Sequence, residues 1–248
     1  MELLLIILIA FFVALIFSML GLGGAIIYTP FFFWTGLPLL TAIPMALLLN
    51  AITAASASMT YLKLRLVNTR IAYPIIPTSI LGALIGSYLV RLVDMKIIIL
   101  LLSAILLLAS IRILFFSSIS FSIGKTIDRK ILIGALVGFL IGVISSLVGI
   151  GGGTFIVPLL MILGFETKNA IATSSFIITF VSLSGFIGHL GFVGQPMEMS
   201  MLFFAGMAAF AGAQTGSRLF RHISSATINR MFALILLLVV GKLLYGLT

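Results

Sequence analysis

The chain has 248 residues, of which 62% are hydrophobic and only 8% charged, with a mean hydropathy of +1.39. Soluble domains carry about 25% charged residues, so a soluble globular class is excluded. Long apolar runs without period-two alternation exclude an outer-membrane barrel and leave an all-α polytopic bundle in the cell membrane. With no cysteine and two distant histidines, neither thiol chemistry, a metal site nor a cofactor is expected, and the net charge of +9 reads as membrane topology rather than nucleic-acid binding.

The apolar run 2–20 is kept as mature structure rather than a signal peptide, because its only charge is Glu2 and it lacks a basic start. A glycine turn follows, and then a short segment, 25–36. Twelve helical residues cover about 18 Å, against a hydrocarbon core of about 30 Å. That segment cannot cross alone and is expected to form a hairpin with 2–20. Segments 39–62, 70–92 and 96–116 have spanning length. Residues 117–130 form a polar linker. The pattern then starts again with 131–149, a short 154–165, and spans 168–190, 198–220 and 226–247.

The halves are copies. Gly21-Leu22-Gly23-Gly24-Ala25-Ile26-Ile27-Tyr28-Thr29-Pro30 returns 128 positions later as Gly149-Ile150-Gly151-Gly152-Gly153-Thr154-Phe155-Ile156-Val157-Pro158. Gly82 and Gly86-Ser87 answer Gly212 and Gly216-Ser217. The expected domains are therefore repeat 1 at 1–116, a cytoplasmic linker at 117–130 and repeat 2 at 131–248. Each repeat is a glycine-broken helical hairpin plus three spanning helices. Charge placement predicts that the repeats are inverted with the N-terminus outside. Lys63, Arg65, Arg70, Arg112, Lys125, Arg129, Lys130, Lys168, Arg218, Arg221 and Arg230 then face the cytoplasm, and only Arg91, Lys96 and Lys242 lie outside. Four plus four parallel helices are the rival arrangement, but they would put the basic stretch 63–70 and the uncharged turn of half two on one side.

A glycine-interrupted segment at matching places in two halves points to a transporter's binding site. Glycine permits positive φ and leaves its N–H uncovered. At a helix start several N–H groups lack intrahelical partners and the dipole adds positive charge. Gly21, Gly23, Gly24 and Ala25, with Gly149, Gly151, Gly152, Gly153 and Thr154, are thus a candidate anion cradle without a buried cation. Thr29, Asn50, Thr173, Ser174, Ser175, His189 and Gln214 are the polar residues expected to join them, and Ser145, Ser146, Ser182 and Ser184 lie nearby. Pro30 and Pro158 interrupt the short helices. Other readings compete. A Gly-x-Gly-Gly run can be a packing site, and Gly82/Gly86 and Gly212/Gly216 are read mainly so. Membrane serines often bond their own backbone. His189 fits a proton carrier or an interfacial histidine at a helix end. Tyr28, Trp34, Tyr61 and Tyr73 include candidate interface anchors, and Glu166 and Lys168 a solvated pair. A hydrolase would need His189 within reach of Ser174 or Ser175, yet about 14 residues of helix, roughly 21 Å, separate them.

The second half carries a longer signature: Gly149-Ile150-Gly151-Gly152-Gly153, Val157-Pro158-Leu159, Ala172-Thr173-Ser174, Ser184-Gly185, His189, Gly191 with Val193, then Gly212-Ala213 and Gly216-Ser217-Arg218-Leu219. This resembles the TauE/SafE family of sulfite and organosulfonate exporters, also called the toluene-sulfonate uptake permease family, over nearly the whole chain. Half one is the weaker copy, with Met45-Ala46-Leu47 in the place of the Thr-Ser run and Tyr61 in that of His189. The resemblance implies a multi-pass secondary transporter, not an enzyme, that moves sulfite, thiosulfate or an organosulfonate by alternating access. An anion channel using the same helix termini is the alternative. The expected partners are that small sulfur oxyanion and the lipid bilayer, with a homodimer as an allowed assembly.

Overall fold

A computed structural model describes residues 2–94, 127–192 and 198–224, with isolated positions in 97–107 and 227–241. The predicted spans 96–116 and 226–247 and most of the linker 117–130 lie outside the described residues. What is described is helical throughout. Eight α-helices run in chain order: α1 (Glu2–Leu20), α2 (Ala25–Trp34), α3 (Leu39–Lys63), α4 (Thr69–Leu89), α5 (Ile127–Val148), α6 (Gly153–Ile162), α7 (Thr167–Phe192) and α8 (Met199–Leu219), with a 3-10 turn at Phe220–His222. α3, α4, α5 from Ile131 and α7 are long and apolar enough to cross a membrane. α8 has the length but ends in the more polar run Gln214-Thr215-Gly216-Ser217-Arg218.

The short helices turn back. α1 stops at Gly21 (φ 69°), where the Gly21 N–H donates to the Ser18 carbonyl and Leu22 N–H to Phe17. That is the left-handed glycine stop that satisfies a helix's last carbonyls. α2 then runs beside α1, and the Tyr28 hydroxyl donates to the Ala10 carbonyl at 2.9 Å. Half two repeats the device. Gly149 (φ 77°) and Ile150 both donate to the Ser145 carbonyl, and the end of α6 reaches the first turns of α5, where Leu163 lies beside Gly134.

Two close helix crossings hold the bundle. On α4, a Cβ at Gly82 or Gly86 would strike the carbonyl oxygens of Phe139 or Val143 on α5. On α8, one at Gly212 or Gly216 would strike those of Phe11 or Leu15 on α1. In lipid, small residues at such positions let backbones approach and pack. α3 and α7 cross at the centre, with α8 also on α3 and α4 also on α7. Outward faces are apolar, as in the exposed row Leu132, Leu136 and Leu140 of α5, which is how a bundle meets hydrocarbon.

The ends sort into two groups. The starts of α1, α3 and α8 and the end of α2 surround a cleft of about 340 Å³ bordered by Ile6, Thr35, Thr41, Met45 and Glu198. The end of α3, the starts of α4 and α7 and the end of α8 meet at the other end. There the Asn68 N–H donates to Thr173 Oγ1 at 2.9 Å, the Tyr61 and Phe220 rings meet at 5.1 Å, and Lys168 Nζ lies 5.7 Å over the Phe220 ring. Of the expected aromatic anchors, Trp34 and Tyr73 are exposed, whereas Tyr28 and Tyr61 are buried. The reason is that each phenol reaches a carbonyl inside the bundle, Tyr28 that of Ala10 and Tyr61 that of Ser18.

Candidate functional site

The two glycine turns meet at the centre of the protein, and all of residues 21–25 and 149–154 are buried. After each helix stop comes one buried apolar residue, Leu22 or Ile150, and then two glycines with positive φ: Gly23 (85°) and Gly24 (115°), Gly151 (80°) and Gly152 (78°). L side chains are disfavoured in that region. The last glycine of each pair caps the following helix, and neither cap has a side-chain acceptor of its own. The turns are in backbone contact, since a Cβ on Gly153 would lie 2.5 Å from the Leu22 Cα.

Each turn is fastened by a hydroxyl from the other half. Thr29 Oγ1 donates to the Gly149 carbonyl at 2.6 Å, and Ser174 Oγ to the Gly21 carbonyl at 3.0 Å. Asn50 stands between the turns, wholly buried, and a Cβ on either Gly23 or Gly151 would collide with its amide. Its Oδ1 accepts from the Ala25 N–H at 2.7 Å, and its Nδ2 donates to Ser182 Oγ at 2.7 Å. Ser182 in turn donates to the Gly151 carbonyl at 3.4 Å.

The turns differ at one donor. In the first turn the Ala25 N–H is capped by Asn50, whereas those of Gly23, Gly24 and Ile26 have no acceptor among the described residues. The N–H groups of Gly151, Gly152, Gly153 and Thr154 at the start of α6 have no acceptor among the described residues. Ser145 Oγ, buried and also without a partner, lies 3.3 Å from the Cβ position of Gly152. Four backbone donors, a hydroxyl and the positive end of a helix dipole thus lie close together in a buried place. Such an array suits an anion whose oxygens accept several hydrogen bonds at once.

The remaining candidates fall elsewhere. Thr173 accepts from Asn68 at the end of the bundle, and Ser175 donates to the Ile171 carbonyl within its own helix. Gln214 donates to the Ser56 carbonyl at 2.8 Å and, with Ser217 and Thr60, ties α8 to α3. His189 is buried and lies in the last turn of α7. Ser182 was not singled out as a site residue, because nothing in its own segment marks it. Only the position of Asn50 on the neighbouring helix gives it a role.

Comparison with known proteins sets the chain among membrane transporters. The family described as "Sulfite exporter TauE/SafE" matches residues 6–243. The chain is 27% identical to the "Probable membrane transporter protein YunE" of Bacillus subtilis, with 92% of each chain covered. It is 27% identical to the "Probable membrane transporter protein MJ0441" of Methanocaldococcus jannaschii, covering 79% of this chain and 80% of the other. A "Probable membrane transporter protein" of Haemophilus influenzae is 25% identical, with 94% and 91% covered. No solved structure matches. With nearly its whole length matched by one family model and by multi-pass membrane transporters, the chain belongs to the TauE/SafE sulfite exporter family.

Proposed function

We propose that the protein is a secondary transporter of a small sulfur oxyanion or sulfonate, held at the start of α6 and carried by alternating access across the cytoplasmic membrane. The observation that carries this reading is that the N–H groups of residues 151–154 have no acceptor among the described residues, with the unpartnered Ser145 hydroxyl beside the second turn. The family supplies the sulfur-anion class. Neutral donors attract an anion yet release it more readily than a buried arginine would, which suits a carrier.

The alternating cycle rests on reading the two halves as inverted repeats. Phe139 and Val143 on α5, faced by Gly82 and Gly86, stand 128 positions from Phe11 and Leu15 on α1, faced by Gly212 and Gly216. The hairpin α1–α2 opens toward one end of the bundle and α5–α6 toward the other. Of the described basic residues, Lys63, Arg65, Arg70, Lys168 and Arg218 belong to the helix ends that meet around Phe220, which we take as cytoplasmic. The cleft at the opposite end then faces outward, while the Asn68–Thr173 bond and the Tyr61–Phe220 contact close the inner end. Exchange of these two arrangements between the repeats is the transport step.

The test is direct. Purified protein titrated with sulfite, thiosulfate, sulfate, sulfoacetate and chloride should bind a sulfur anion selectively, and proteoliposomes should show saturable counterflow of it. Ser145→Ala removes one hydrogen bond to a charge, worth about 1.5–3 kcal/mol. It should weaken binding by about 10- to 100-fold and leave the melting temperature unchanged, because the hydroxyl has no protein partner to lose. Affinity unaltered by Ser145→Ala would move the site away from α6. Non-saturating flux without counterflow would instead favour an anion channel.

A further inference from the structure

Outside the cradle, two buried polar side chains lack partners and share one neighbour. His189 is 1% exposed, and its Nδ1 lies 2.8 Å from the Gly185 carbonyl. Only an Nδ1–H can bond a carbonyl, so that nitrogen holds the proton of the neutral ring, and Nε2 is left as a bare acceptor. Nε2 has no partner. Ser146 Oγ, also 1% exposed and unpartnered, lies 2.9 Å from where a Cβ on Gly185 would stand. A buried acceptor with no donor is costly unless something occupies it for part of the time. The copy in half one carries no such vacancy: Tyr61 replaces the histidine and its hydroxyl is bonded to the Ser18 carbonyl, at the position matching Ser146.

Resting on the transport reading above, we infer that His189 and Ser146 form a proton-binding site that couples proton movement to anion movement. The proton comes from water and settles on the Nε2 lone pair, making an imidazolium that keeps its Nδ1–H bond to Gly185. It leaves to water by the reverse step, with no other bond changed. Ser146 Oγ, an acceptor through its lone pairs, can face the new N–H directly or through one water. The setting suits linkage to the cradle. Ser146 adjoins Ser145 in the chain, and His189 lies seven residues beyond Ser182, about 10 Å along α7. A positive charge at that distance inside protein raises anion affinity about tenfold, so each ion favours the other.

The elements packed around this part of α7 are α3, through Leu47, the end of α5, and the end of α4, where Ser87 meets Gly188 and Tyr88 stacks edge-on with Phe192. Among the described residues these bring the exposed phenol of Tyr88 and, just past α4, the exposed Arg91 and the exposed Asp94. Histidine is the side chain that takes and loses a proton across the physiological range.

The experiment uses full-length protein in proteoliposomes with an internal pH indicator. The probes are thiosulfate and methanesulfonate, whose charges do not change near neutral pH. A gradient of the transported probe should drive a proton signal in the wild type, and anion affinity should fall about tenfold from about pH 5 to pH 8. His189→Gln should retain measurable counterflow while losing the proton signal and flattening that pH profile. Ser146→Ala should diminish both and serves if His189→Gln does not fold. Wild-type flux without proton movement, or a proton signal that survives His189→Gln, overturns the coupling and leaves the anion site standing. Absence of saturable flux of either probe in the wild type overturns the transport reading itself.

Discussion

Asn50→Asp should weaken anion binding on the order of a hundredfold while leaving a folded protein. The amide oxygen of Asn50 already sits on the Ala25 N–H at 2.7 Å, where a substrate oxygen would sit if both turns bound alike. A carboxylate is isosteric, keeps that bond as a charge-assisted one, and gains from the α2 dipole. Its second oxygen can accept from Ser182 Oγ, which now receives a bond from Nδ2. These bonds offset part of the desolvation cost of a fully buried carboxylate, so the melting temperature should fall without loss of the fold. The anion loses much: at an effective dielectric near 20, a like charge about 5 Å away costs about 3 kcal/mol, on the order of a hundredfold in affinity. Isothermal titration of the variant beside a thermal melt separates the two effects. A variant that binds as tightly as the wild type would mean that the anion does not lodge between the glycine turns. Asn50→Ala is the informative counterpart. It uncaps Ala25 and opens space between the turns, so binding should persist or tighten even as the melting temperature falls.

Helix positions were legible because glycine and proline punctuate apolar runs. The predicted span 39–62 is α3 at Leu39–Lys63, bounded by Pro38, and the short 25–36 and 154–165 are α2 and α6, each after a glycine cap and each containing its proline. The turns themselves were legible as a repeated positive-φ pattern. What could not be read is which groups those turns already use. Ala25 and Gly153 hold matching places at the helix starts, but only the first finds an acceptor, because Asn50 projects from α3 where the matching residue of α7 is Ile178. The same holds for Thr173 and Gln214. Both are polar residues in helices near the turns, and both are engaged in helix-to-helix bonds settled by tertiary packing. Local pattern carries helix type and length, whereas hydrogen-bond partners 100 residues or more apart are fixed only when the halves come together, as with Thr29 and Gly149.

Gly86→Leu on α4 and Gly216→Leu on α8 should each cause a large loss of stability. Neither position has a strained backbone, since both are helical glycines without positive φ. The cost is steric: the added Cβ falls on the Val143 carbonyl in one case and the Leu15 carbonyl in the other, and main chain cannot rotate aside as a side chain can. Relief requires the crossing helix to move away, which forfeits the close packing that associates helices in lipid, where no hydrophobic gain replaces it. Overpacking of this kind costs about 3 kcal/mol or more, which is about 10 °C in melting temperature for a chain of this size. Gly191→Ala is the control, because nothing lies within 4 Å of its Cβ position at the end of α7, and alanine there should be neutral or mildly stabilising. Melts within a degree or two of wild type for both leucine variants would contradict the packing role. The pair also tests the repeat relation, since Val143 and Leu15 are matching positions in the two halves. Equal losses are expected from equivalent crossings, and a large loss at only one would mean that the two halves are held together by different means.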